Sequence, residues 1–85
     1  MLVFDNLTYT QKEFLKLIGM GYNDVYLAQH INTSFNKLEL YLKNLYKEFD
    51  LDEINKEGHF LVKRYLLVIA IRKFFHKNGE CLDEI

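Results

Sequence analysis

The histidine and cysteine side chains of this 85-residue chain lack the spacing that metal binding or nucleophilic catalysis requires. The single cysteine, Cys81, and the three histidines, His30, His59 and His76, are scattered and form no zinc-ligand pattern. The sequence also contains no Ser-His-Asp order, no paired carboxylates of a catalytic cleft and no glycine-rich phosphate loop. We therefore expect a protein that is not an enzyme and that uses neither a metal nor another cofactor.

Polar and basic side chains recur at helical spacing in the segment 35–49. One face of the predicted helix carries residues at i, i+4, i+7 and i+11: Asn36, Leu40, Lys43 and Lys47. The opposite face has the same spacing and is apolar: Leu38, Leu42, Leu45 and Phe49. This pattern predicts an amphipathic helix that packs on a core with one side and presents polar groups with the other.

The formal net charge of −1 is unevenly distributed along the chain. Residues 56–79 carry six lysines or arginines and one acid, whereas residues 1–55 carry five lysines and eight acids. Nucleic-acid-binding domains usually present a basic face, because phosphate contacts supply most of their affinity. The sequence pI of about 6.3 is below that of a strong nucleic-acid binder. The basic residues of the C-terminal segment also fit a simpler role, keeping an apolar helix soluble.

The composition predicts one small all-α domain that spans residues 1–85. Hydrophobic residues make up 49% and charged residues 27%, as in soluble globular proteins. The chain has no proline and only four glycines, which favours long helices joined by short turns. The most apolar run, residues 65–71, is too short to span a bilayer, so we expect no membrane insertion. A single cysteine favours a reducing compartment, and therefore the cytoplasm.

Capping residues predict where the first three helices begin. They are Thr8 with Gln11 in a capping box, Asn23, and either Thr33 or Ser34. Gly19 and Gly21 fit the end of the first helix, since glycine adopts the left-handed conformation of a helix C-terminus at low cost. The second helix contains Ala28, a small residue that allows another helix to approach closely.

A fourth helix is predicted over about residues 57–77, and between Phe60 and Ile71 it is apolar nearly all round. Such a helix is normally covered on more than one side, and a chain of this size has little left to cover it. We therefore expect a homodimer that forms through this long apolar helix. Its predicted contacts are Leu61, Tyr65, Val68 and Ile69.

A helix, a short turn and an amphipathic second helix together form a helix-turn-helix arrangement. Residues 7–51 resemble, without a gap, the LuxR/GerE-type helix-turn-helix domain. That family begins L-T-x-R-E-x-E-V-L, continues A-x-G-x-S-N-K-E-I-A and then reads S-x-x-T-V-x-x-H-x-x-x-I-x-x-K-L. The matching positions are mostly structural: Leu7, Thr8, Glu13, Leu15, Leu17, Gly21, Leu27, Ala28, Ser34, Leu38, Leu45 and Phe49.

The resemblance implies a DNA-binding transcriptional regulator, here without a sensor domain, whose third helix enters the major groove of double-stranded DNA. It implies these contacts with bases or backbone: Asn36, Lys37, Leu40, Lys43, Asn44 and Lys47. The chain departs from the family pattern at Thr10 and Gln11, where the family has an Arg-Glu pair, and at Glu39 and Leu40, which replace groove-facing residues. Beyond Leu51 the fourth helix of the family is not recognisable, and the longer apolar helix takes its place.

The same departures support an alternative hypothesis, a protein-binding module on a helix-turn-helix fold that no longer binds DNA. In that case Phe35, Leu40 and Tyr41 form an exposed apolar patch that captures a protein partner. The chain would then act as an inhibitor or adaptor of another regulator. Phe35 and Tyr41 also fit burial against the first or the fourth helix, so their exposure distinguishes these possibilities.

Overall fold

Four helices form the fold in a computed structural model that describes residues 2–52 and 60–82. A 3₁₀ turn at Phe4–Asn6 precedes α1 (Tyr9–Gly19), α2 (Asp24–His30), α3 (Phe35–Glu48) and α4 (Phe60–Lys77). No strand occurs in these two ranges. The prediction of a small all-α domain with four helices is confirmed. The segment predicted as a helix-turn-helix consists of α2, the turn that follows it and α3.

The predicted capping residues begin the first three helices. The Thr8 hydroxyl accepts a hydrogen bond from the Gln11 backbone N–H at 3.1 Å, and the Gln11 side chain accepts one from the Thr8 N–H at 2.8 Å. Asn23 caps α2 through the N–H of Tyr26 at 2.9 Å. Ser34, rather than Thr33, caps α3. These side chains satisfy backbone N–H groups that have no partner within the first turn of a helix.

Left-handed residues end α1, α2 and α3 in the same way. Gly21, with φ of +89°, follows α1, and the Tyr22 N–H donates to the Leu17 carbonyl oxygen at 3.1 Å. Asn32 and Asp50 take positive φ after α2 and α3. A positive φ turns the chain back over the last turn of a helix, so that its free carbonyl groups gain donors. The connections between these helices are therefore short and fixed.

One hydrophobic core joins the four helices. α4 contributes Leu67, Ile71 and Phe75, which are fully buried. The other helices contribute Leu15 and Ile18 from α1, Leu27 and Ala28 from α2, and Leu38, Leu42 and Tyr46 from α3. α1 packs against α4, and α2 packs against α3. Because α1 also contacts α2, the helix-turn-helix (α2 and α3) lies on a platform formed by α1 and α4.

Residues near both ends of the described ranges, Phe4 and Leu82, belong to this core. Phe4 is buried, and its ring makes edge contacts with Phe74 and Phe75 at centroid distances of 5.7 and 5.4 Å. Leu82 packs over Gly19, where an added Cβ would lie 2.8 Å from the Leu82 Cδ1 atom. Gly21 provides the left-handed conformation that the sequence predicts. Gly19 is instead the last residue of α1 and serves close packing, so the prediction for Gly19 is wrong.

α4 differs in part from the helix predicted for residues 57–77. Its described part is Phe60–Lys77, and residues 57–59 lie outside the described residues. The prediction that it is apolar nearly all round is not confirmed. One side packs into the core, while the other sides carry Arg64, Arg72 and the exposed Lys73. No helix in the described ranges has the length and apolar character needed to cross a membrane.

Candidate nucleic-acid interface

α3 presents its polar face to solvent because its apolar face is held by the core. Leu38, Leu42 and Tyr46 are buried at i, i+4 and i+8, so they fix the rotation of the helix about its axis. Each residue advances about 100° around an α-helix. The positions opposite this buried line are therefore the ones that face away from the molecule.

The structure brings the six predicted DNA-contacting residues together on this outward side, and all six are exposed. They are Asn36, Lys37, Leu40, Lys43, Asn44 and Lys47. By helical spacing, Asn36, Leu40, Lys43 and Lys47 run along the centre of the face, and the other two lie along one edge. We call these six residues the outward face of α3.

Charge on α3 favours an anionic partner at the centre of the outward face. Lys43 and Lys47 lie there, and Glu39 lies on the edge nearer Phe35, about 100° from Leu40 but only about 40° from Lys43, which follows it by four residues. A carboxylate at that edge can accept a hydrogen bond from cytosine N4 but repels phosphate. Lys43 and Lys47 can thus contact an anionic surface, with Glu39 at the edge of that contact.

The alternative protein-binding residues are also exposed, at 53% for Phe35, 59% for Leu40 and 44% for Tyr41. Their arrangement is less compact than one patch. Phe35 and Tyr41 are six residues apart and lie on opposite edges of the helix by spacing, with Leu40 between them on the outward side. The Tyr41 ring also contacts the Phe14 ring edge-on, with centroids 6.3 Å apart.

An ion pair fixes α2, the first helix of the helix-turn-helix, against α4. The Arg64 guanidinium donates to the Asp24 carboxylate at 2.8 Å and to the Tyr22 carbonyl oxygen at 3.2 Å. Arg64 has only 17% of its side chain exposed, which limits competition from water. No sequence pattern indicated this contact, since its partners are 40 residues apart.

The phenol of Tyr46 lies beside this ion pair. Burial raises the pKa of Tyr46 above its ordinary value, and the neighbouring Arg64 guanidinium partly opposes that rise. The Lys63 ammonium sits over the Tyr46 ring, 4.8 Å from its centroid. Tyr46 therefore connects the C-terminal half of α3 to the N-terminal half of α4.

Three exposed rings stack along α2. Tyr22 and Tyr26 lie with centroids 4.4 Å apart at an interplanar angle of 21°, and His30 continues the stack 6.1 Å from Tyr26. Because Tyr26 lies between the other two rings, the stack covers both faces of Tyr26 and one face each of Tyr22 and His30. The exposed surface of α2 is thus aromatic, and the lysines of the helix-turn-helix belong to α3.

A groove of about 560 Å³ runs beside the outward face, between α1, the turn after α2 and α3. Leu7, Phe14 and Ile31 contribute apolar lining, and Lys37 and Asn44 line its side on α3. No pattern in the sequence indicated this groove. Its walls come from separate elements, so no spacing within one helix could have indicated it.

The predicted dimer residues differ in their accessibility on α4. Tyr65 is 65% exposed and the nearby Val62 is 49% exposed. Ile69 is half-buried, and Val68 packs against the hydrophobic core. The side chain of Leu61 lies outside the described residues. An exposed apolar surface on α4 is therefore centred on Val62 and Tyr65.

Within residues 2–52 and 60–82, no three His, Cys, Asp or Glu side chains are grouped closely enough to hold a metal ion. Comparison with models of known protein families, with curated proteins and with solved structures finds no match to this chain. The residues of the helix-turn-helix and their geometry are thus the basis for assigning a function.

Proposed function

We propose that this protein is a DNA-binding transcriptional regulator of the LuxR/GerE-like helix-turn-helix type that acts in the cytoplasm. The observation that carries the proposal is the outward face of α3, where three lysines and two asparagines are all exposed. The buried side of the same helix prevents these groups from turning inward. A helix with this arrangement can enter the major groove, which is about 12 Å wide.

Each polar residue of the outward face has a role that fits its chemistry. The Asn36 and Asn44 amides both donate and accept hydrogen bonds, as recognition of an adenine edge requires. Lys43 donates to guanine or to phosphate, and Lys47, near the end of α3, binds phosphate. Leu40 supplies an apolar contact for a thymine methyl group.

Two copies joined through α4 would read paired half-sites. The exposed Val62 and Tyr65 provide the apolar surface for this contact. Two recognition helices related by a two-fold axis bind successive major grooves about 34 Å apart. A homodimer would therefore favour a site with two-fold symmetry.

A lysine substitution on α3 tests the proposal against a matched control. In a fluorescence-anisotropy titration with duplex DNA, Lys43→Ala is expected to weaken binding by about 1–3 kcal/mol if the lysine reads a base, or to reduce the salt dependence if it contacts phosphate. Lys73→Ala removes an exposed lysine from α4 and should change neither quantity substantially. Equal effects of the two substitutions would contradict a specific role for α3.

The exposure of Phe35, Leu40 and Tyr41 supports a second candidate function, capture of a protein partner by a fold that has lost DNA binding. The partner would be another regulator, inhibited or recruited through this surface. Leu40→Asp places a charge between Phe35 and Tyr41 and should abolish capture of the partner, while Lys43→Ala should leave capture nearly unchanged. If Lys43→Ala weakens binding more than Leu40→Asp does, the result favours the DNA-binding function.

A further inference from the structure

The groove beside α3 combines an apolar interior with one charged group. Phe14 and Ile31 line it together with Tyr41, and its volume of about 560 Å³ lies in the range typical of small-molecule sites. The size of the groove therefore fits a compact organic molecule.

The charge of the lining restricts the class of that molecule. Among the described residues that line the groove, Lys37 is the charged one and none is an aspartate or a glutamate. Asn44 and Thr33 add groups that donate and accept hydrogen bonds. A molecule with an apolar body and one anionic group fits this lining. Its body would cover the Phe14 and Tyr41 rings, and its anionic group would contact the Lys37 ammonium.

We infer that the groove binds a small amphipathic organic anion, an aromatic or aliphatic body that carries a carboxylate or sulfonate, and that this ligand controls DNA binding. Lys37 and Asn44 belong both to the groove and to the outward face of α3. A bound anion neutralises Lys37 and occupies the edge of the recognition helix. Ligand and DNA therefore compete, and this regulatory part rests on the proposed function.

Two fluorescent probes with the same aromatic body test the site without DNA. 8-Anilinonaphthalene-1-sulfonate carries the anion, and N-phenyl-1-naphthylamine lacks it. We expect the sulfonate to bind with one site per chain and more tightly than the neutral amine. Lys37→Gln should weaken sulfonate binding about three- to fivefold, the effect of losing an accessible ion pair, and leave the amine unchanged. Lys43→Gln, on the same helix but outside the groove, is the matched control.

A groove-filling variant locates the probe. Thr10 lines the groove, whereas the adjacent Tyr9 does not and is exposed. Thr10→Trp should abolish binding of both probes, and Tyr9→Trp should preserve it. Amide shifts on adding the sulfonate should cluster at Phe14 and Ile31. Shifts centred on Val62 and Tyr65 would overturn the assignment, as would equal binding of both probes that is insensitive to Lys37→Gln.

Addition of random-sequence duplex DNA to the protein with bound sulfonate tests the ligand site and its regulatory role separately. Displacement of the bound sulfonate by duplex supports competition. If duplex binds while the sulfonate stays bound, the regulatory inference is wrong although the site remains. If duplex does not bind at all while the sulfonate does, the proposed function fails and the groove assignment stands on its own.

Discussion

The Arg64 guanidinium and the Asp24 carboxylate join α4 to the first turn of α2 through a hydrogen bond of 2.8 Å. The same guanidinium also binds the Tyr22 carbonyl oxygen, just before α2 begins. One side chain thus holds the N-terminal end of the helix-turn-helix on the platform formed by α1 and α4. Because α3 packs on α2, we expect the position of α3 to depend in part on this contact.

Replacing Arg64 with methionine keeps most of the apolar stem and removes both hydrogen bonds. We expect Arg64→Met to lower the free energy of unfolding by about 1 kcal/mol, since the partners are partly solvated. Asp24→Asn should cost less, because an amide oxygen still accepts from Arg64. Urea unfolding of both variants, with Lys73→Met as the control for an exposed cation, measures these effects. A loss for Arg64→Met no larger than that of the control would contradict the assigned role.

The N-terminal segment should contribute directly to stability. Phe4 is buried against Phe74 and Phe75, whereas the neighbouring Val3 is 53% exposed. Phe4→Ala is expected to cost about 3 kcal/mol in urea unfolding, the usual cost of truncating a buried aromatic ring. Val3→Ala should change the free energy of unfolding by less than about 0.5 kcal/mol. Similar changes in the free energy of unfolding for Phe4→Ala and Val3→Ala would show that the N-terminal segment does not pack on the core.

Local patterns predicted the parts of this fold that depend on neighbouring residues. The caps at Thr8, Asn23 and Ser34 follow from side chains that reach backbone N–H groups three positions away. The outward face of α3 follows from helical spacing. Packing of Phe4 on the core and the contact between Arg64 and Asp24 join residues far apart in sequence. No periodic pattern in the sequence could therefore predict these contacts. The groove is formed by α1, the turn after α2 and α3 together, so the spacing within one helix could not predict it either.

Tyr46 should make the stability sensitive to alkaline pH. Burial raises its pKa in the folded state, so the folded protein favours the neutral phenol. The stabilisation is present below the unfolded pKa of about 10 and is lost as pH rises through the folded value. Urea unfolding at about pH 8 and about pH 10.5 should show a larger decrease for the native chain than for Tyr46→Phe. An equal decrease in both proteins would contradict this contribution.

Self-association should depend on the exposed part of α4. Tyr65→Glu introduces a charge at a side chain that is 65% exposed, so the fold should survive while the dimer dissociates. Sedimentation equilibrium at micromolar concentration is expected to give a dimer for the native chain and a monomer for this variant, with unchanged circular dichroism. Tyr9→Glu, at another exposed tyrosine on α1, should remain dimeric. A monomeric native chain would contradict the proposed dimer.

The central claim, that α3 is a recognition helix, is tested most directly by fluorescence-anisotropy titration of the native protein with random-sequence duplex DNA at two salt concentrations. Binding with Kd of about 10⁻⁴–10⁻⁶ M at physiological salt, tightening as salt is lowered, is the predicted result for lysines that displace counterions from phosphate. No binding at low salt would contradict the claim and would direct attention to a protein partner for Phe35, Leu40 and Tyr41.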